Sequence, residues 1–162
     1  VIFRPLLQGT HNPEELAGVL AHEVQHVLLR HTTKSLLRDL SLAALIGAAF
    51  GDVTGIGALS IQAARTLSTL SYSRDMEEQA DYEGARLLQQ AHLNPAGMVH
   101  FFEKLKSRER GIEIPGYLST HPQTDERIAK LKTLLRLVPT SPPAVPDEEW
   151  QRMAAVCRSG RS

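Results

Sequence analysis

His22-Glu23-Val24-Gln25-His26 sets two imidazoles four residues apart, with a carboxylate directly after the first. On a helix this spacing puts both rings on one face, about 40° apart. Neutral imidazole nitrogens are favoured zinc donors, and two on one face can share a single ion. Glu23 can reach a water beside that ion without binding the metal itself. The pattern therefore predicts metal-assisted hydrolysis with Glu23 as the general base. The same letters also arise by chance on helices that bind nothing, so the reading needs a third donor. One source would be a histidine ten residues after the first, with a glycine between. Those positions hold Thr32 and Leu29, and this option fails. His31 lies about 180° from His22 on a continuous helix and reads as a packing or hydrogen-bonding residue.

The other source is an acid from a second helix. SRDMEEQADYEGARLL offers Glu77 and Glu78. Glu77 shares a face with Ala80, Asp81, Gly84 and Leu88, whose small members let two helices approach closely. Glu78 shares a face with Tyr82, Arg86 and Gln89, the wetter side. Glu77 is thus the expected third metal ligand beside His22 and His26, all three on one zinc ion per chain. Asp81, one turn later, can accept the outer N–H of a liganding imidazole and fix its tautomer.

Such a site needs two well-placed helices, and the sequence is rich in helix signals. Asn12 followed by Pro13, Glu14 and Glu15 is a capped start: a side-chain acceptor, a preset φ, then acids facing the helix dipole. From there a broad apolar surface predicts a buried helix to about residue 32. Further helices are expected over Thr33 to Ala49, Leu59 to Leu70 and Ser73 to Ala91, with Gly51 to Gly57 as a break. Asn94-Pro95 repeats the capped start and opens a helix to about Arg110. GIEIPGYLSTHP reads as a loop, and Gln123 to Leu137 as another amphipathic helix. VPTSPPAVP is too proline-rich to be regular. The tail DEEWQRMAAVC reads as a short helix docking through Trp150, Met153 and Val156. Residues 1–138 are expected to form the catalytic domain, and residues 139–162 a proline-rich linker with a short helix.

VIFRPLLQGT has neither an initiator Met nor a basic-then-apolar signal pattern. It reads as the inside of a strand and a turn, so the chain is expected to be a domain excised from a longer protein. With 162 residues, 42% hydrophobic and 22% charged, the composition is that of a folded globular domain. Lys plus Arg and Asp plus Glu balance at 18 each, which removes a net-charge argument for nucleic-acid binding. Cys157 is the single cysteine and has no internal partner for a disulfide. The stretch from Leu40 to Ile61 is the most apolar, but Asp52 and several glycines and threonines interrupt it. It reads as a core hairpin or as a hairpin facing a membrane or partner, rather than as a span.

In order along the chain, LAGVLAHEVQHVLLRH, YSRDMEEQADYEGARLL and LSTHPQTDERIAKL resemble the three signature blocks of metallopeptidase family 48. That family takes in HtpX heat-shock proteases, CAAX prenyl proteases, mitochondrial Oma-type proteases and periplasmic BepA-like proteases. The resemblance runs from about Glu14 to Leu135. It implies a mainly α, gluzincin-type zincin core, with the H-E-x-x-H helix packed on the glutamate-ligand helix and little or no sheet. It also implies a zinc endopeptidase acting in membrane or envelope protein quality control, in the bacterial periplasm or at its membranes. Its substrates would be protein or peptide, unfolded or from the envelope, and the soluble composition is closer to the BepA-like and Oma-like branches. A zinc-containing chaperone-like or binding module is the alternative. His121, in the loop before a helix start, is the first candidate to donate to the oxyanion, and the resemblance places it near the site. It could instead cap the metal at rest or serve only as a helix-start residue. Arg127, on the following helix, reads equally as an anchor of that loop or a plain surface arginine.

Overall fold

The computed structural model describes residues 4–50, 73–108, 120–121, 124–135, 143 and 145–159. Its regular structure among these residues is all helical: α1 (Arg4–Gly9), α2 (Pro13–Leu28), α3 (His31–Phe50), α4 (Arg74–Gln90), α5 (Ala96–Arg108), α6 (Asp125–Leu135) and α7 (Asp147–Ser159). The mainly α expectation holds.

α2 starts where its cap dictates. Asn12 is extended, and its Oδ1 accepts the Glu15 N–H at 2.8 Å. Glu15 turns back to accept the His11 N–H at 2.8 Å and also pairs with Lys104 of α5. α2 stops earlier than its apolar pattern suggests. Leu28 is its last residue, and Arg30 takes a left-handed φ of 55°. α3 then begins at His31 instead of continuing α2 to residue 32. The downstream starts also carry caps: Ser73 Oγ accepts from Met76, Asn94 Oδ1 from Ala96, and Thr124 Oγ1 from Arg127.

α2 packs against both α4 and α5, and α6 closes on α4 and α5. Two glycines set how closely. A Cβ on Gly18 would lie 2.7 Å from the Met98 backbone, so α2 meets α5 almost backbone to backbone. A Cβ on Gly84 would lie 3.2 Å from the His22 nitrogen, which brings α4 onto α2 at the first motif histidine. The core between these helices holds Val19, Ala85, Leu88, Met98, Phe101, Phe102, Ile128 and Leu131. Each large apolar side chain buried there contributes roughly 1.5–3 kcal/mol.

Two further expectations change. Residues 4–9 form a helix and not the inside of a strand and turn. Pro5 falls in the first helical turn, where its missing N–H costs nothing, and Leu6 packs against the core. In α7, Trp150 is buried and its Nε1–H donates to the His11 carbonyl at 2.9 Å, but Met153 is exposed. The Val156 side chain, the helix expected over residues 59–70 and most of the loop expected before Thr120 lie outside the described residues. None of the described helices is long and apolar enough to cross a membrane. Leu40, Leu42 and Leu45 of α3 are exposed.

Candidate metal centre

The close seating of α2 on α4 brings the two motif histidines and Glu77 into one buried cluster. His22 and His26 rise from successive turns of α2, with their Nε2 atoms 3.0 Å apart. Glu77, in the first turn of α4, has Oε2 3.5 Å from His22 Nε2 and Oε1 3.3 Å from His26 Nε2. His121, entering just before α6, puts Nδ1 3.0 Å from Glu77 Oε1 and 3.3 Å from His22 Nε2. One donor atom from each of these four residues lies within 4.8 Å of all the others, and all four residues are buried.

The outer atoms are held as well. Asp81 Oδ1 lies 2.9 Å from His22 Nδ1, on the side of the ring facing away from the cluster. Arg127 of α6 donates through Nε and Nη2 to the two Asp81 oxygens, each at 2.8 Å. Its Nη1 is 2.8 Å from Glu77 Oε2. The guanidinium is thus shared by the expected ligand carboxylate and the carboxylate behind His22. Phe102 walls the site below, meeting the His22 ring edge-on at 5.6 Å and Arg127 at 5.5 Å. Glu23 stands at the open rim. Its Oε1 is buried without a hydrogen bond, 3.5 Å from His121 Nε2.

Electrostatics favour a positive charge at the centre of this cluster. Burial opposes charging His22, but Asp81 and Glu77 outweigh it and push its pKa up to about 9. For His26 burial dominates, with repulsion from His22 and His121, and its pKa falls despite Glu77. Burial would raise Glu77, yet His121, His22 and His26 together hold it well below the usual carboxylate range. Three imidazole nitrogens and a carboxylate, each able to act as an acceptor, converge within 4.8 Å and conflict wherever no proton lies between them. A divalent ion accepting from all of them removes that conflict, and the nitrogen and oxygen donor set suits zinc chemistry. The residues present therefore fit a metal.

A model described as Peptidase family M48 matches residues 1–135, the span that carries every residue of this cluster. The chain belongs to peptidase family M48. Among its M48 relatives, mitochondrial metalloendopeptidase OMA1 of Saccharomyces cerevisiae is 31% identical over 139 residues, covering 83% of this chain and 40% of the relative. The beta-barrel assembly-enhancing protease of Yersinia pestis is 32% identical over 141 residues, 80% of this chain and 29% of the relative. The OMA1 of Arabidopsis thaliana is 33% identical over 129 residues, covering 78% and 26%. The chain thus spans well under half the length of these M48 relatives.

Among the residues expected from the sequence, His22, His26, Glu77 and His121 come together, Asp81 backs His22, and Glu23 sits alongside. Glu78 points away and pairs with Lys130 at 2.8 Å. Two neighbours of the site were not assigned there by sequence reasoning. Arg127 is a buried site residue and not a surface arginine, and a signal existed for it: it shares a helix face with the buried Ile128 and Leu131. A buried guanidinium demands a carboxylate partner. His31 lies against His26, with its Nδ1 3.0 Å from His26 Nδ1. It is a hydrogen-bonding residue, as expected, but the break at Arg30 carries it to the back of the His26 ring instead of the far side of α2.

Proposed function

We propose that this chain is the catalytic domain of a zinc-dependent endopeptidase, with His22, His26 and Glu77 as metal donors and Glu23 as general base. The observation that carries this is the convergence of four buried donor groups from α2, α4 and the entry to α6. Zinc bound there supplies Lewis acidity to a peptide carbonyl and makes a nearby water easier to deprotonate. Glu23, free of any ligand duty, takes the proton from the attacking water on its carboxylate and returns it to the leaving amine. Asp81 orients His22, and Arg127 holds Asp81 and Glu77 in register.

His121 has two roles to separate. As a donor beside the site it can stabilise the oxyanion. With Nδ1 inside the same buried group of donor atoms, it can equally cap the ion at rest. The variant His121→Ala distinguishes these: lost hydrolysis with zinc retained marks an oxyanion donor, and increased hydrolysis marks a cap. The capping geometry is also what supports the second reading, a zinc-containing binding or chaperone-like module with little proteolysis.

The names of the relatives, a metalloendopeptidase and a beta-barrel assembly-enhancing protease, support protein substrates and a setting in envelope or membrane protein quality control. The Yersinia pestis relative supports a place in the bacterial cell envelope, while the OMA1 relative is mitochondrial by name. The exposed leucines of α3 support contact of the Leu40–Ile61 stretch with a membrane or partner surface.

The test is hydrolysis of an unfolded protein by wild type and Glu23→Gln. We expect the variant to keep zinc and lose activity by at least about a hundredfold, as general bases contribute 10²–10⁴. Equal slow clearance by both proteins would replace the enzyme with the binding module.

A further inference from the structure

His31 occupies a position that hydrolysis as proposed does not use. It is fully buried, and its two ring nitrogens face two different helices. Nδ1 lies 3.0 Å from Nδ1 of His26 on α2, and Nε2 lies 3.2 Å from Oε1 of Gln79 on α4. The His26 and His31 rings meet nearly edge to face, at 77° and 4.9 Å between centroids.

The backbone is bent to reach this arrangement. On an uninterrupted α2, residue 31 would lie more than a turn beyond His26 and on another face. The chain instead leaves the helix after Leu28, passes through left-handed Arg30 and restarts at His31. A non-glycine residue in that region costs roughly 1 kcal/mol or more. Contacts made on the far side of the break must offset that cost, and the fully buried imidazole is among them.

Proton placement follows from the chemistry of the ends. The Nε2 atom of His26 faces Glu77 and His22, so a metal ion there takes its lone pair and leaves the proton on Nδ1. At the other end, the Gln79 oxygen can only accept. The two demands agree on one arrangement: His26 Nδ1–H donates to His31 Nδ1, and His31 Nε2–H donates to Gln79 Oε1. Both hydrogen bonds then run outward from the metal.

We propose that His31 is a positioning residue for metal binding, its Nδ1 holding His26 in the tautomer and orientation that present Nε2 to the ion, while the bond to Gln79 fixes the tautomer in which His31 Nδ1 accepts. It plays for His26 the part that Asp81 plays for His22, with a neutral acceptor in place of a carboxylate. The inference rests on the zinc reading above. Loss of such an outer partner typically costs 10- to 100-fold in metal affinity.

Asparagine and glutamine replacements separate positioning from packing. Asparagine sets an amide oxygen near the place of histidine Nδ1, and so keeps the acceptor for His26. Glutamine reaches the place of Nε2 and keeps the contact to Gln79, but offers His26 no acceptor at the right spot. Zinc affinity is measured by competition with a colorimetric chelator. The visible absorption of the Co2+-substituted protein reports ligand geometry directly, and thermal melting of the chelated proteins reports the fold. We expect His31→Gln and His31→Ala to weaken zinc binding at least tenfold and to alter the Co2+ spectrum, with His31→Asn within about threefold of wild type. Binding by His31→Gln equal to wild type, or by His31→Asn as weak as His31→Ala, overturns the proposal even if melting temperatures fall. A wild-type chain that takes up neither Zn2+ nor Co2+ removes the zinc reading itself and this inference with it.

Discussion

Arg127 binds both Asp81 oxygens and one Glu77 oxygen while almost completely buried, so its removal leaves two buried carboxylates without their cation. Breaking such a pair costs about 3–5 kcal/mol. Arg127→Ala is expected to lower stability by that amount in denaturant unfolding. Arg127→Lys should recover only part, because an ammonium cannot span the carboxylates as the guanidinium fork does. A second residue-scale prediction concerns acidity in the chelated protein. His22 has a folded pKa raised to about 9 from 6.5, so its contribution to stability is fully present below pH 6.5 and lost as pH rises through 9. His26 and His31 are shifted down, chiefly by burial, so their effect is confined to more acid pH, where stability falls as they are forced to charge. Between about pH 7.5 and 9, among the described residues, the His22 effect is the one that remains. The melting temperature of chelated protein should therefore fall across that window, and a rise there would contradict the assignment. At this scale, the cluster was legible where periodicity decides a face. Glu77 over Glu78 follows from the small residues beside it. The burial of Arg127 was readable from its apolar neighbours, but its partners come from a helix 46 residues away and no local pattern names them.

Helices carry the next level. The H-E-x-x-H helix is fixed at its start by the Asn12 cap, and Asn12→Ala should cost about 1 kcal/mol in unfolding measurements. Its position against α5 depends on Gly18. A methyl group there meets Met98 backbone atoms at 2.7 Å, which cannot give way as a side-chain tip would. Gly18→Ala is expected to destabilise by about 1–3 kcal/mol and to weaken metal uptake by shifting α2. An unchanged melting temperature would show that the two helices have more room than the structure gives them. The capped starts at Asn12 and Asn94 were plain in the sequence because side-chain acceptor and proline lie within two residues of each other. The end of α2 was not. Val27, Leu28 and Leu29 continue its apolar run, and Arg30 carries no turn signature, so only tertiary contacts tell the chain to stop. The same override explains α1, where a short apolar segment gave no period to separate helix from strand.

For the molecule as a whole, the site draws on α2, α4, α6 and the segment before α6, while α7 docks elsewhere, on α1, through Trp150. We propose residues 1–138 as the catalytic unit, with α7 packed on it away from the metal cluster. Trp150→Ala is therefore expected to raise hydrogen exchange across α1 and α7 while one zinc per chain is retained; loss of zinc would tie the tail to the site. The mainly α architecture could be read from caps and periodicity alone. The mutual placement of the helices depends on close contacts at Gly18 and Gly84 that no single-helix pattern reveals. The central claim is that two separate helices bring His22, His26 and Glu77 to one ion. Metal analysis of purified wild type, His26→Ala, Glu77→Ala and Glu78→Ala tests it most directly. The account predicts about one zinc per chain in wild type and Glu78→Ala, and loss of zinc from His26→Ala and Glu77→Ala. Full zinc in Glu77→Ala, or its loss from Glu78→Ala alone, would contradict it.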